Sequence, residues 1–200
     1  DGIRLDCRTI GNRPAAGICG SGIIDLLACL RSTGTMDARG RLSVQARGVI
    51  PDPGGDHSYV LVPAEDTALG VDLTVSQAEI RQLQLAKGAI RAGIDTLLSL
   101  QGIDAEKVVD ILIAGDFGSH LDTDNALRIG LLPPVDPRRV RRIGNAAGTG
   151  AAMMLLSKAE RSHAATLARA IRHVELAREP GFLRRFARAQ WFTESQATRE

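Results

Sequence analysis

The chain has 200 residues and is 44% hydrophobic but only 3% aromatic, so Leu, Ile, Val and Ala must build most of its core. Its net charge of +2 comes from interspersed charges of both signs, which argues against a dedicated nucleic-acid-binding protein. No apolar run approaches the roughly 20 residues that span a membrane, and no signal peptide is evident, so we expect no membrane partner. The three cysteines, an odd number without C-x-x-C spacing, favour a reducing, cytoplasmic compartment.

The amino-terminal part of the sequence predicts short strands around one helix. We expect a strand over residues 3–10, a turn at 14–17, and a helix over 23–30 that ends before Gly34. Residues 35–57 are rich in Gly, Pro and Asp, which predicts an irregular excursion containing a short strand. Further strands are expected at 59–62 and 71–75.

The clearest local signal is a helix start at Ser76. Ser76 and Glu79 match a capping box, in which each of the two residues caps the other's backbone N–H. The helix that follows runs to about Leu100, with apolar residues on one side at helical spacing. Gly88 and Gly93 interrupt it at a cost of about 1 kcal/mol each relative to Ala, so we expect a strand or a ligand to approach there.

The carboxyl-terminal part alternates strands and helices again. We predict a strand over 108–114, a helix over 123–129 capped by Asp122, Thr123 or Asp124, and a helical stretch over 158–170. A short strand is expected at 174–176, and a final helix from Pro180 to near Phe192. The alternation favours a layered α/β fold.

Two glycine-rich segments are candidates for ligand binding. Gly115, Asp116, Phe117 and Gly118 follow a buried strand, where ligands gather in α/β sheets, but a plain strand-to-helix turn explains them equally well. Gly20, Ser21 and Gly22 precede a helix and form a candidate anion loop. For that loop we favour a tight turn with a buried Cys19 over thiol chemistry, because no His is near it in sequence.

Three further features are interpreted as structural. Residues 143–152 are nearly all small, which favours close helix packing over phosphate binding because the Lys of a phosphate loop is missing. The odd number of cysteines, without C-x-x-C spacing, and the scattered histidines predict no metal site. The tail carries four of the six aromatics, and a terminal helix that clamps onto the core is favoured over a partner-docking surface.

Five segments in this order resemble one known family. They are GICGSGIID (17–25), QLAKGAIRAGI (84–94), ILIAGDFGSHL (111–121), ALRIGLLP (126–133) and IGNAAGTGAA (143–152). Together they resemble the carboxyl-terminal region of the reductive activators of corrinoid proteins. These belong to the ASKHA superfamily, with actin, heat-shock chaperones and sugar kinases.

The resemblance implies an α/β fold: the second lobe of an ASKHA ATPase module, with an RNase H-like mixed sheet flanked by helices. The lobe would cover residues 1–178, with the irregular excursion at about 35–70, and residues 179–200 would form a carboxyl-terminal helix and tail. The first lobe and a ferredoxin-like [2Fe–2S] domain would lie upstream in the same parent chain.

The resemblance also implies roles for individual residues. Gly115, Asp116, Phe117 and Gly118 would border the adenosine, although Asp116 departs from the small residue expected there. Three residues of the long helix would touch the nucleotide: Gln84, Lys87 and Arg91. Four residues of the 143–152 segment would act as an inter-lobe hinge: Gly144, Asn145, Gly148 and Gly150.

The function implied is ATP-dependent return of cob(II)alamin to the cob(I) state on a corrinoid protein or methyltransferase, with ATP and Mg²⁺ bound by the complete module. The chain alone is expected to have no ATPase activity and feeble nucleotide affinity. A homodimer is left open. The alternatives are an ASKHA activator of another redox enzyme, of the CoA-dehydratase activator type, and a non-catalytic interaction module that uses the Phe182–Phe192 helix.

Overall fold

A computed structural model describes residues 7–115, 118 and 120–193. Predictions for Asp116 and Phe117, and for most of the strand expected at 3–10, lie outside these residues. Where the 3–10 segment is described it is not a strand, since residues 7–9 are irregular and Ile10–Asn12 form a 3₁₀ turn. Among the described residues, no helix is both long enough and apolar enough to cross a lipid bilayer.

The described chain contains six α-helices and five strands. In chain order they are α1 (Gly20–Ser32), β1 (Val49–Pro51), β2 (His57–Val62), β3 (Leu73–Ser76), α2 (Gln77–Leu100), β4 (Ile111–Ala114), α3 (Thr123–Arg128), β5 (Val140–Gly144), α4 (Ala146–Leu156), α5 (Lys158–Ala170) and α6 (Phe182–Ala189).

The strands form two separate sheets. β1, β2 and β3 make an antiparallel sheet in which β2 is central, with Val49 opposite Tyr59 and Tyr59 opposite Val75. β1 is a short strand within the predicted irregular excursion, and β2 and β3 overlap the strands predicted at 59–62 and 71–75. β4 and β5 make a two-stranded parallel sheet, with Ile111 opposite Val140.

The core forms where α1 packs against the antiparallel sheet and the first turn of α2. Leu27, Leu30, Met36 and Ile80 are fully buried there. The loop after α3 closes one side of the core, and Phe192, from near the end of the chain, is 3% exposed in the same cluster. The favoured interpretation of the tail, a terminal segment clamped onto the core, agrees with this position.

The helix starts predicted from capping residues are confirmed. The Ser76 hydroxyl accepts from the Glu79 N–H at 3.2 Å, and the Glu79 carboxylate accepts from the Ser76 N–H at 2.7 Å, so the capping box forms. Asp122 caps α3 by accepting from the Asn125 N–H at 2.8 Å. Both helices begin at the predicted positions because these bonds satisfy otherwise unpaired backbone donors.

In the carboxyl-terminal half, one predicted strand is wrong and another strand was missed. Residues 174–176 are not a strand, since a 3₁₀ turn covers Leu176–Arg178. The stretch Val140–Gly144, which we did not predict as a strand, is β5. The small-residue segment continues as α4, whose residues stay accessible to solvent and whose main packing partner is the following helix α5.

Candidate nucleotide-binding site

The two glycines at the end of β4 have different surroundings. Gly115 has φ +94°, its N–H donates to the Gly144 carbonyl at 2.8 Å, and a Cβ built on it would meet no atom within 4 Å. Gly118 is buried, and a Cβ there would overlap Cγ2 of Ile113. Among the described residues, no atom lies where a side chain at Gly115 would be, whereas the room left by Gly118 is filled by the side chain of Ile113.

The two glycines bear differently on the prediction that the 115–118 segment contacts a nucleotide. Gly115 has the bare backbone at a strand end that a flat ring or a phosphate needs to approach closely. Gly118 is explained by packing alone, because Ile113 needs the space. Contact with a nucleotide by either glycine stays a prediction.

The candidate residues Gln84 and Lys87 are buried under the end of the chain. Residues 189–193, which we name the strap, run across α2 at this point. The Gln84 amide donates to the carbonyls of Arg39 at 3.1 Å and Gln190 at 3.0 Å. Lys87 Nζ donates to the carbonyls of Ala189 at 2.5 Å and Trp191 at 2.8 Å. The structure gives both side chains a role in holding the strap, and their contact with a nucleotide remains untested.

The strap also explains the first glycine in α2. A Cβ at Gly88 would lie 3.1 Å from Cγ and 3.2 Å from the backbone N of Gln190. At Gly93 the nearest atom would be Cδ1 of Leu176, at 3.5 Å. The element that approaches α2 is thus the carboxyl-terminal segment, not the strand or ligand that the sequence led us to expect. Sequence reasoning missed the strap, although Gly88 pointed to a close neighbour.

Arg91, the third candidate on α2, keeps part of its guanidinium accessible. Its Nε donates to Asp95 at 2.9 Å and its Nη1 to the Leu132 carbonyl at 2.9 Å. It lines a cavity of about 330 Å³ between α2, α6 and the strap. No residue of the 115–118 segment is among the described residues that line this cavity, so the structure does not bring Arg91 together with Gly115 there.

The candidate anion loop forms the first turn of α1, with Cys19 as its N-cap. The Cys19 Sγ accepts from the Gly22 N–H at 3.4 Å and lies 3.4 Å from the Ser21 hydroxyl. These bonds, that of Ser21 first, lower the pKa of the Cys19 thiol. Cys19 is exposed, so the favoured prediction of a buried cysteine is wrong.

A large cavity of about 980 Å³ opens beside α1. Its walls come from residues 7–19, from α1 and from the antiparallel sheet, and all three cysteines reach it. Burial raises the pKa of Cys29, in contrast to Cys19. In the described parts of the chain, no three His, Cys, Asp or Glu side chains are grouped so that they could hold a metal ion.

The candidate hinge residues lie at the junction of β5 and α4. Gly144 has φ +63°, and the Asn145 side chain caps α4 by accepting from the Gly148 N–H at 2.8 Å. A Cβ at Gly150 would meet no atom within 4 Å. The close packing predicted for this helix is not made by the described residues, because its small-residue surface is open and Leu156 is 86% exposed.

Comparisons with known proteins match nearly the whole chain. A family model described as the C-terminal domain of RACo, the ASKHA domain, matches residues 1–199. The chain is 37% identical over 188 residues to the corrinoid activation enzyme RamQ of Eubacterium limosum, an alignment that covers 90% of this chain and 32% of RamQ. A solved structure of a reductive activator for corrinoid,iron-sulfur protein is 33% identical and superposes with a TM-score of 0.85, covering 92% of this chain and 30% of that one.

The chain thus spans about a third of the length of these relatives. The matches confirm the predicted ASKHA fold and the resemblance to reductive activators of corrinoid proteins. The family model and the relatives agree over almost every described element, and the chain belongs to the family of C-terminal ASKHA domains of RACo.

Proposed function

We propose that this chain is the nucleotide-binding C-terminal lobe of an ATP-dependent reductive activator of corrinoid proteins. The observation that carries the proposal is the similarity over 90% or more of the chain to RamQ and to the reductive activator for corrinoid,iron-sulfur protein. Membership of an ASKHA family implies nucleotide binding. Because the chain covers about a third of these relatives, the complete activity needs segments outside it.

The bare main chain at Gly115 is the part of the described residues that best fits a nucleotide. It lies at the end of a parallel strand, its N–H donates to the Gly144 carbonyl, and no atom of the described residues lies within 4 Å of the position that a Cβ would take. A purine or ribose can lie directly against such backbone. In the complete module, bound Mg²⁺-ATP would supply the free energy for an uphill electron transfer from a [2Fe–2S] domain.

The 144–150 junction suits the proposed hinge. The Gly115 N–H bonds to Gly144, so the nucleotide end of β4 and the start of α4 are directly connected. The accessible apolar residues of α4 would pack against a counterpart helix of the other lobe. A change at the nucleotide would then reach the lobe interface through one hydrogen bond and one helix.

The proposed partner is a corrinoid protein or methyltransferase. The names of both relatives refer to corrinoid activation, which favours this partner over the substrate of a CoA-dehydratase activator. The interaction module using α6 is not favoured as the main function, because α6 packs against α2 and the strap that follows it is held by Gln84 and Lys87.

A pair of glycine variants of the longer protein tests the nucleotide site. Gly115→Ala and Gly102→Ala both place a methyl at positive φ (+94° and +62°) without a neighbour within 4 Å. Both carry backbone strain on the order of 1–2 kcal/mol, which is larger for Gly115→Ala because +94° lies outside the left-handed region that L residues enter, but only the first intrudes on the proposed nucleotide. In calorimetric titrations with Mg²⁺-ATP we expect Gly115→Ala to weaken binding by about tenfold and Gly102→Ala to bind like the wild type. Equal affinity in both variants would contradict the site.

A valine at Gly118 would be a poor test of the nucleotide site. Its side chain would collide with Ile113, so a loss of ATP binding could reflect local unfolding. The matched Ala variants avoid this problem, because neither creates a collision.

A further inference from the structure

The cavity between α2, α6 and the strap is lined by one of the nucleotide-binding candidates, Arg91, and not by Gly115. It has a volume of about 330 Å³ and is lined by Arg91, Arg185, Arg188 and Asp95, with Trp191 and neighbouring strap residues completing its wall. This volume lies at the lower end of the range for small-molecule sites. The cavity exists only while the strap is docked, because strap residues form part of its lining.

The charge of the cavity is strongly unbalanced. Three arginines and a single aspartate line it, which gives a net charge of +2. Asp95 is engaged by Arg91 at 2.9 Å, so the positive charges of Arg185 and Arg188 have no acidic partner in the lining. An open cleft lined mainly by positive charges raises the local concentration of anions.

Two of the guanidinium groups are positioned by the protein itself. Arg91 bonds to Asp95 and to the Leu132 carbonyl, and its side chain is 20% exposed. Arg185 donates from Nη2 to the Ser99 hydroxyl at 2.8 Å and from Nη1 to the Pro180 carbonyl at 3.2 Å. These bonds hold both groups at the cavity before any ligand arrives, which lowers the entropic cost of binding.

Arg188 completes the set as an unused donor. No side-chain hydrogen bond or ion pair joins it to any part of the chain that the structure describes. Its planar fork of N–H donors matches phosphate oxygens in a bidentate arrangement. The cavity therefore combines two fixed cationic groups with one that is free to close on a ligand.

We propose that this cavity, which we call the groove from here on, binds a phosphate compound of the pyrophosphate class. A diphosphate group fits the observations better than a single phosphate, because three arginines line a space larger than one ion. The diphosphate can be free pyrophosphate or the diphosphate of a nucleotide. The experiment compares these two sources.

Trp191 gives the experiment a local signal. It is the single tryptophan of the sequence, it lines the groove, and it is 56% exposed. The fluorescence of the chain at low ionic strength is titrated with pyrophosphate, with ADP and with citrate as a carboxylate of similar charge. Arg188→Gln removes the unused donor, and Arg184→Gln is the matched control, since Arg184 lies on α6 and is exposed outside the groove.

The expected result is a saturable change with pyrophosphate that is the same in the wild type and Arg184→Gln. Arg188→Gln should bind about tenfold more weakly, as befits one lost charge-assisted contact. ADP binding with the same dependence on Arg188 would identify a nucleotide diphosphate as the ligand, and pyrophosphate binding alone would identify the free anion.

Three results would overturn the proposal. They are no saturable change with any phosphate compound, an equal loss in Arg184→Gln and Arg188→Gln, and citrate binding as tight as that of pyrophosphate. None of them bears on the nucleotide site, because Gly115 does not line the groove. Conversely, loss of ATP binding in Gly115→Ala would leave the pyrophosphate titration unchanged.

Discussion

Lys87 is a buried residue whose ammonium group holds the strap by hydrogen bonds. Its side chain is 3% exposed, contacts two strap carbonyls, and lies 5.2 Å from the ring centre of Phe192. The carbonyls and the ring favour the ammonium form, while removal from water opposes it. The removal from water dominates, with Arg91 adding repulsion, and lowers the pKa of Lys87 to about 8.

The lowered pKa predicts a pH dependence of stability. Between pH 8 and 10.5 the unfolded chain still binds a proton on Lys87 that the folded chain has released. The free energy of unfolding should therefore rise with pH in this window and level off above it, by about 3 kcal/mol at most. Urea unfolding of the wild type and of Lys87→Met at several pH values measures the difference. A difference that stays constant from pH 8 to 10.5 would contradict the lowered pKa.

Cys19 and Cys29 should differ in reactivity. Hydrogen bonds from Ser21 and Gly22 lower the pKa of Cys19, and burial raises that of Cys29. Since the thiolate is the reactive form, iodoacetamide at neutral pH should label Cys19 several-fold faster than Cys29. Ser21→Ala should slow labelling of Cys19 but not of Cys29, as followed by peptide mass spectrometry. Equal labelling rates of Cys19 and Cys29 in the wild type would contradict the expected difference between their thiol pKa values.

The residue scale also shows what a sequence can predict. Ser76 and Glu79 were predictable because both partners of their hydrogen bonds lie within four residues. Gln84 and Lys87 were not, because their acceptors lie more than 100 residues away in the strap. Helical spacing placed these side chains on one face of α2 but contained no information on which distant segment covers it.

At the scale of elements, the two glycines of α2 form a natural pair for comparison. A methyl at Gly88 would press on the strap backbone, whereas one at Gly93 would make an ordinary contact with Leu176. We expect Gly93→Ala to stabilise the protein by up to about 1 kcal/mol through helix propensity. Gly88→Ala should lose that gain or destabilise the protein, because the strap must shift. Thermal unfolding of both variants measures these changes in stability. An equal gain in stability in both variants would show that the strap does not require glycine at position 88.

The strands show the limits of local patterns more clearly. β5 escaped prediction because Arg141 and Arg142 interrupt its apolar residues, and it becomes a strand by pairing with β4, about 30 residues earlier. Residues 174–176 look like a strand in sequence but find no strand to pair with among the described residues. The type of long, capped helices was predictable from local signals, whereas the short strands depend on distant partners.

At the scale of the molecule, the described residues leave much apolar surface uncovered. Leu155 and Leu156 of α4 are 79% and 86% exposed, and Leu112 of the parallel sheet is 55% exposed. Parallel sheets are normally covered on both faces. Exposed apolar patches of this kind mark contact surfaces, which agrees with the proposal that α4 packs against another lobe.

This surface predicts self-association of the chain when it is prepared alone. Leu156→Glu should reduce that association, because it places a charge on α4. Val44→Glu, which changes an exposed apolar residue elsewhere in the chain, should leave it unchanged. Analytical ultracentrifugation over a range of concentrations measures both. A monomeric wild-type chain at all concentrations would argue against α4 as a contact surface.

The most direct test of the account is whether the longer protein that carries this chain reduces a corrinoid protein in an ATP-dependent manner. Anaerobic absorption spectra of the corrinoid protein would follow the conversion of cob(II)alamin to cob(I)alamin, with reductant present and with or without Mg²⁺-ATP. We predict conversion only with ATP, its loss in Gly115→Ala, and its retention in Gly102→Ala. Conversion that is unaffected by ATP, or equal in both glycine variants, would contradict the assignment of this lobe.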